Sequence, residues 1–191
     1  MLRIVGGEAK GRKLNIVKGK SVRPTADRVK ESLFNILREE IRDNEVLDLF
    51  AGVGSLGIEA LSRGAKRAVF VDKGSACARV IGKNLDILGF RERAEIYHEE
   101  VAKAVRWLAQ QERKFGLVFV DPPYGSDLAE KTLEGLAGSQ IVDEEGTVIV
   151  EHYWKRILPE AVGTLGLVRN EKYGDTSLSF YKYCSNKSME P

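Results

Sequence analysis

From residue 46 onward, short apolar runs of strand character alternate with longer amphipathic stretches of helical character, and no other feature restricts the fold of this chain so strongly. Strand-like runs fall at 46–50, 68–72, 94–97, 117–120 and 147–151, with helical stretches near 56–63, 75–88, 101–111 and 127–136 between them. Repeated units of this kind bury a parallel sheet between two helix layers, so the pattern predicts a doubly wound α/β fold. The rhythm fails near the end, where 165–168 and 177–183 read as a closing pair of strands joined through 172–175. At 191 residues the chain can form one domain with a full core and a small appendage. Its 43% hydrophobic and 30% charged residues exclude a mainly disordered protein. No apolar run approaches the ~20 residues of a membrane span, and Met1-Leu2-Arg3 leads into a strand-like segment where a secretory signal needs an apolar stretch. The expected location is therefore cytoplasmic. Cys77 and Cys184 stand in no CxxC or Cys/His grouping, so neither a disulfide framework nor a metal site is expected.

Charge is unevenly spread. Residues 1–30 hold nine lysines and arginines against Glu8 and Asp27, while the rest of the chain carries a net −5. A positive block on a mildly acidic body suits a polyanion such as RNA, although a solvated arm would look the same by charge alone. Residues 2–5 and 13–17 alternate apolar and polar side chains around Gly6-Gly7 and Gly11, which reads as a basic β-hairpin. A linker follows at 21–24; Thr25 can then cap a helix over 26–41 with Val29, Leu33, Ile36, Leu37 and Ile41 on its apolar face. The expected plan is a hairpin extension and linker over 1–24, the main domain over 25–184, and a frayed tail over 185–191.

The first body strand runs into Asp48-Leu49-Phe50-Ala51-Gly52-Val53-Gly54-Ser55-Leu56-Gly57. Gly52 and Gly54 allow a tight turn and close approach to a ligand, and Gly57 allows the following helix to pack on the sheet. Asp72, with Lys73 beside it, ends the next strand twenty residues after Gly52, where a carboxylate can hold ribose hydroxyls. The spacing satisfies G-x-G-x-x-G, so a dinucleotide enzyme competes. Asp48, however, adds a second acid just before the turn, which suits a cationic amino-acid tail better than a pyrophosphate, and S-adenosyl-L-methionine carries such a tail. Glu99 or Glu100, after the third strand, can accept from an adenine amine while Val101 packs on the ring; the two glutamates compete.

Asp121-Pro122-Pro123-Tyr124 follows directly on the fourth apolar strand. An exocyclic amine of a nucleobase is a poor nucleophile because its lone pair is delocalised into the ring. Carbonyl oxygens on a proline-stiffened loop, together with the Asp121 carboxylate, can accept the amine hydrogens and favour a pyramidal nitrogen. Tyr124 can stack on the base. The side-by-side acceptors of Asp121 match the N1–H and N2–H donors of guanine, whereas adenine would suit asparagine better.

These motifs together resemble the RsmD-type family of small-subunit ribosomal RNA guanine-N2 methyltransferases. The likeness runs through Arg3-Ile4-Val5-Gly6-Gly7, Gly11-Arg12-Lys13-Leu14, Arg23-Pro24-Thr25 with Asp27-Arg28-Val29, Leu33-Phe34-Asn35, the turn at 48–57, the tetrapeptide at 121–124, and Tyr173-Gly174-Asp175-Thr176. It departs from the family at Val53, where serine or threonine is common, and at Glu100, where aspartate is usual. The resemblance implies a class I, Rossmann-like methyltransferase sheet that binds S-adenosyl-L-methionine and acts on a guanine in bacterial 16S rRNA; a small-subunit particle as the substrate and a monomer without metal are expected beside it, though neither the assembly state of the RNA nor the oligomeric state is fixed by the sequence. It implies that Lys10, Arg12, Lys13, Arg23, Arg28 and Lys30 face RNA. A DNA or RNA adenine methyltransferase, a protein-glutamine methyltransferase, a noncatalytic RNA-binding module and a nucleotide-dependent oxidoreductase are the competing readings. His98, Trp107, His152 and Trp154 read as packing or surface residues, with His152, Tyr153 and Trp154 also placed by sequence near a base pocket.

Overall fold

A computed structural model describes residues 2–17 and 26–184. The linker at 21–24, the Thr25 cap, Arg23 and the tail 185–191 lie outside the described residues. Helices α1 (Ala26–Ile36) and α2 (Arg38–Ile41) are followed by β1 (Glu45–Asp48), α3 (Ser55–Ser62), β2 (Arg67–Val71), α4 (Ser75–Leu88) and β3 (Ala94–Tyr97). Next come α5 (Val101–Gln110), β4 (Phe115–Val120), α6 (Leu128–Ser139), β5 (Val142–Tyr153), β6 (Ala161–Val162), β7 (Leu165–Tyr173) and β8 (Thr176–Tyr183). Among the described residues, one sheet contains all eight strands in the order β3-β2-β1-β4-β5-β8-β7-β6. The first five are parallel, and β8, β7 and β6 close the sheet antiparallel.

Period-two alternation divides the strand side chains between two cores. Val46, Ala68, Phe70, Leu117, Phe119 and Ile149 face the N-terminal segment, α1, α3 and α4. Leu47, Val69, Val71, Val118, Val120, Val148 and Val150 face α5 and α6. Phe34 of α1 packs on Phe119 with ring centroids 5.7 Å apart, which clamps the first helix over the central strands.

The expected single helix over 26–41 is divided at Leu37, where the backbone turns (φ −81°, ψ 5°) and both Leu37 and Ile41 stay buried. At the N-terminus the hairpin is reduced to one antiparallel bridge, Arg3 to Lys13, with short turns between. Leu2, Ile4, Ala9 and Leu14 nevertheless belong to the main core, so this segment is sewn into the body. Its backbone leans on α3: Val5 N–H donates to Glu59 (2.8 Å) and Ala9 N–H to Ser62 (2.9 Å). Strand β5 starts at Val142, five residues before its apolar run, because Asp143, Glu144 and Glu145 lie exposed and the β4 pairing shifts register there.

Candidate active site

Two loops leave the sheet side by side. Strands β1 and β4 are neighbours, Asp48 pairs with Phe119, and Leu49 N–H donates to Phe119 O at 3.0 Å. Asp121 stands two residues beyond Phe119, so the glycine turn and the tetrapeptide emerge from adjacent strands at one rim. Helices after β1 and after β4 also pack on opposite faces of the sheet, the arrangement beyond whose strand ends open α/β sheets bind their ligands.

The glycine turn covers residues 49–54, and α3 begins at Ser55. Gly52 lies at φ 58°, a conformation that favours glycine, and Phe50 O at 4.0 Å is the nearest atom to where a Cβ would project. Gly57 serves packing instead: a Cβ there would come within 2.3 Å of the Phe70 ring. Ala51 N–H donates to Val71 O at 3.0 Å and ties the turn to β2, with Phe50 half-buried beside it. Asp72 braces the same turn, accepting from Gly52 N–H (2.8 Å) and Gly74 N–H (2.7 Å) with different oxygens, and each oxygen keeps a lone pair for a hydroxyl donor. Asp48 is 1% exposed and accepts from Gly57 N–H at 3.1 Å. Burial pushes its carboxyl up to about 7, against the pull of that amide, and Asp72 adds a further push. It lies beneath the turn, so any influence on a bound cation passes through its field and through the turn it shapes.

Lys73 is exposed, and its ammonium stands 4.0 Å from Glu100, itself exposed at the start of α5. Glu99 is engaged on its own helix: it accepts from Glu100 N–H and pairs with Lys103, which holds its carboxyl below the usual range. Glu100 therefore turns toward the β2 loop and Glu99 away from it. Val101 is half-buried against the second core. A buried acid, a glycine turn, a braced acid at the next strand end and Glu100 beyond it fit the tail, sulfonium, ribose and adenine of S-adenosylmethionine.

Pro122 is buried while Pro123 and Tyr124 reach the surface, with Asp121 half-buried between strand and loop. The loop is pinned from behind. Ser126 Oγ donates to Pro123 O at 2.7 Å, and Arg156 donates to Ser126 O while gripping Glu130 through both carboxylate oxygens (2.7 and 2.6 Å). Tyr124, 37% exposed, donates its hydroxyl to Glu151 at 3.2 Å. That leaves its oxygen to accept from Thr176 at 3.1 Å. Burial pushes this phenol up to about 12; the Thr176 bond pulls down, and Glu151 and Asp121 push further up. Tyr124 is thus a neutral ring held by its hydroxyl. Glu151 and Thr176, which sequence reasoning did not assign to the site, hold it. Thr176 had a signal in Tyr173-Gly174-Asp175-Thr176; Glu151 had none beyond its strand-end position.

Among the expected RNA-facing residues, Lys10, Arg12, Lys13 and Arg28 are exposed, and Arg12 also donates to Ile87 O at 3.1 Å. Lys30, expected at the surface with them, is turned inward. It is 4% exposed, donates to Arg3 O (2.6 Å) and Ser55 Oγ (3.2 Å), and lies 3.5 Å from the buried Glu59. Burial lowers its pKa against the pull of Glu59 and Asp27. The reason is amphipathic phase: position 30 sits beside Val29 and Leu33 on the inner side of α1. His152 likewise turns inward, with its imidazole 2.8 Å from Ser179 Oγ, and burial lowers its pKa. A cavity of about 560 Å³ lined by Arg38, Glu39, Ile41, Arg42, Asp43 and Arg63 lies at the amino end of β1, away from the carboxylates of the rim. Among the described residues no cluster of metal-ligating side chains occurs, and no helix is long and apolar enough to cross a membrane.

Residues 2–182 match the family model described as Conserved hypothetical protein 95. The Ribosomal RNA small subunit methyltransferase D of Escherichia coli is 36% identical over 181 residues, covering 95% of this chain and 89% of that one. Its namesake from Haemophilus influenzae is 39% identical over 151 residues, 78% of each chain. The solved Escherichia coli protein yhhF aligns with a TM-score of 0.81 at 35% identity, over 95% of this chain and 97% of that one. The 16S rRNA N2 methyltransferase RsmC of T. thermophilus, solved with AdoMet and guanosine, shares the fold with a TM-score of 0.70 at 22% identity, over 88% of this chain and 45% of that one. With a family match over residues 2–182 and a Rossmann-like class I sheet, this chain belongs to the RsmD family of S-adenosylmethionine-dependent methyltransferases.

Proposed function

We propose that the protein methylates the exocyclic N2 amine of a guanine in 16S rRNA, presented as an unpaired base to Asp121-Pro122-Pro123-Tyr124. The adjacency of β1 and β4 carries the reading, because it sets a cofactor turn and a tetrapeptide of amine-hydrogen acceptors at one rim. The rRNA substrate is supported by the name of the Escherichia coli relative. The guanine is supported by the two acceptors of Asp121, which match adjacent N–H donors.

S-adenosylmethionine, when bound, supplies an electrophilic methyl group on a sulfonium, whose sulfur–methyl bond breaks on transfer to leave a neutral sulfide. The chain's own residues prepare the nucleophile. Asp121 and the loop carbonyls accept the amine hydrogens, draw the lone pair out of conjugation and direct it at the methyl. Positive charge then passes to the amine, where the Asp121 carboxylate stabilises it and takes the released proton. Tyr124 holds the plane of the base. No covalent enzyme intermediate is required.

Labelled-methyl transfer to rRNA from cells lacking the enzyme tests the proposal, with naked RNA and assembled small subunits as parallel substrates. The expected product nucleoside is N2-methylguanosine. Label recovered as methyladenosine, or in protein, would overturn the assignment.

A further inference from the structure

Beside the tetrapeptide, the end of β5 carries a pair of exposed aromatic rings that the chemistry above does not use. Tyr153 and Trp154 are 39% and 37% exposed, with centroids 6.2 Å apart. They adjoin the site through Thr176. Tyr153 pairs with Thr176, whose hydroxyl meets Tyr124, and Trp154 N–H donates to Asp175 O at 3.1 Å. Two ammonium groups attend the indole: Lys172 Nζ lies 3.4 Å and Lys155 Nζ 5.4 Å from its centroid.

An aromatic face flanked by two lysines and joined through Thr176 to the Tyr124 ring has the chemistry of a platform for a nucleotide next to the target. We propose that Tyr153 and Trp154, with Lys155 and Lys172, bind an unpaired nucleotide adjacent to the target in the RNA. This rests on the RNA reading above. Phosphate is a stronger partner for an ammonium than an aromatic face is, so the incoming backbone draws Lys172 off the indole and bares the ring for stacking. Stacking is indifferent to base identity, so the platform adds affinity and holds the strand while the tetrapeptide selects the base.

The chain has two tryptophans, so Trp107→Phe leaves Trp154 as the sole indole reporter. Titrating that variant with a short single-stranded oligoribonucleotide should quench its emission, and the quench should weaken with salt and with Lys172→Gln. In methyl transfer, Trp154→Ala should raise KM for RNA by about tenfold while kcat and S-adenosylmethionine affinity stay unchanged, and Trp154→Phe should restore most of the loss. Unquenched emission together with an unchanged KM in Trp154→Ala would overturn the platform. Quenching without methyl transfer to rRNA in the unaltered protein would uphold the platform and sink the substrate assignment instead.

Discussion

Asp48 shows how one buried side chain can tie stability to cofactor binding. Its carboxyl is raised from 3.8 to about 7, so the folded protein holds that proton more tightly than the unfolded chain does. Stability from this group is complete below about pH 4 and declines as pH rises toward about 7, by an amount on the order of a few kcal/mol. Asp48→Asn should flatten that decline in a plot of Tm against pH between those limits. An unaltered slope would show that the carboxyl does not titrate there. A cationic ligand favours the ionised form, so S-adenosylmethionine affinity by calorimetry should fall below about pH 7 in the parent protein and lose that dependence in the variant. Asp121 belongs to the other half of the proposed chemistry. Asp121→Ala should lower methyl transfer by about a hundredfold or more and leave cofactor affinity intact, as measured by single-turnover transfer beside calorimetry.

At the scale of elements, α3 is the joint between the cofactor turn and the N-terminal segment. Its Glu59 is fully buried and receives Val5 N–H, Lys30 and Arg63, while Ser55 at its start receives Lys30. Removing one member of a buried ionic group strands the others in a medium that solvates them poorly. Glu59→Ala should therefore destabilise the protein by roughly 3–5 kcal/mol in urea unfolding. A loss comparable to that of a surface pair, at most about 1 kcal/mol, would contradict the burial. The short charged stretch Arg38–Ile41 and the split at Leu37 were hidden in the sequence because apolar spacing continues across the break. Periodicity reports which residues face inward and is blind to a single backbone turn that preserves the facing.

For the whole molecule, the basic N-terminal segment and the rim define the expected path of a nucleic acid. Lys10, Arg12 and Lys13 are exposed, and each phosphate they neutralise releases counterions. Arg12→Glu with Lys13→Glu should weaken RNA binding, most strongly at low salt, and reduce the slope of log affinity against log salt by about 2. An unchanged slope would remove this segment from the interface. The sequence by itself determined the strand–helix alternation, the glycine turn, the tetrapeptide and the basic segment, since each depends on local spacing and residue chemistry. The inward turn of Lys30 was legible too, in its phase beside Val29 and Leu33 on α1, whereas the sequence could not determine that Glu151 and Thr176 hold Tyr124 or that Glu100 stands beside Lys73 at the end of β2. Those outcomes arise from which strands become neighbours, and strand order is settled by burial across the whole sheet, over separations that no local pattern records.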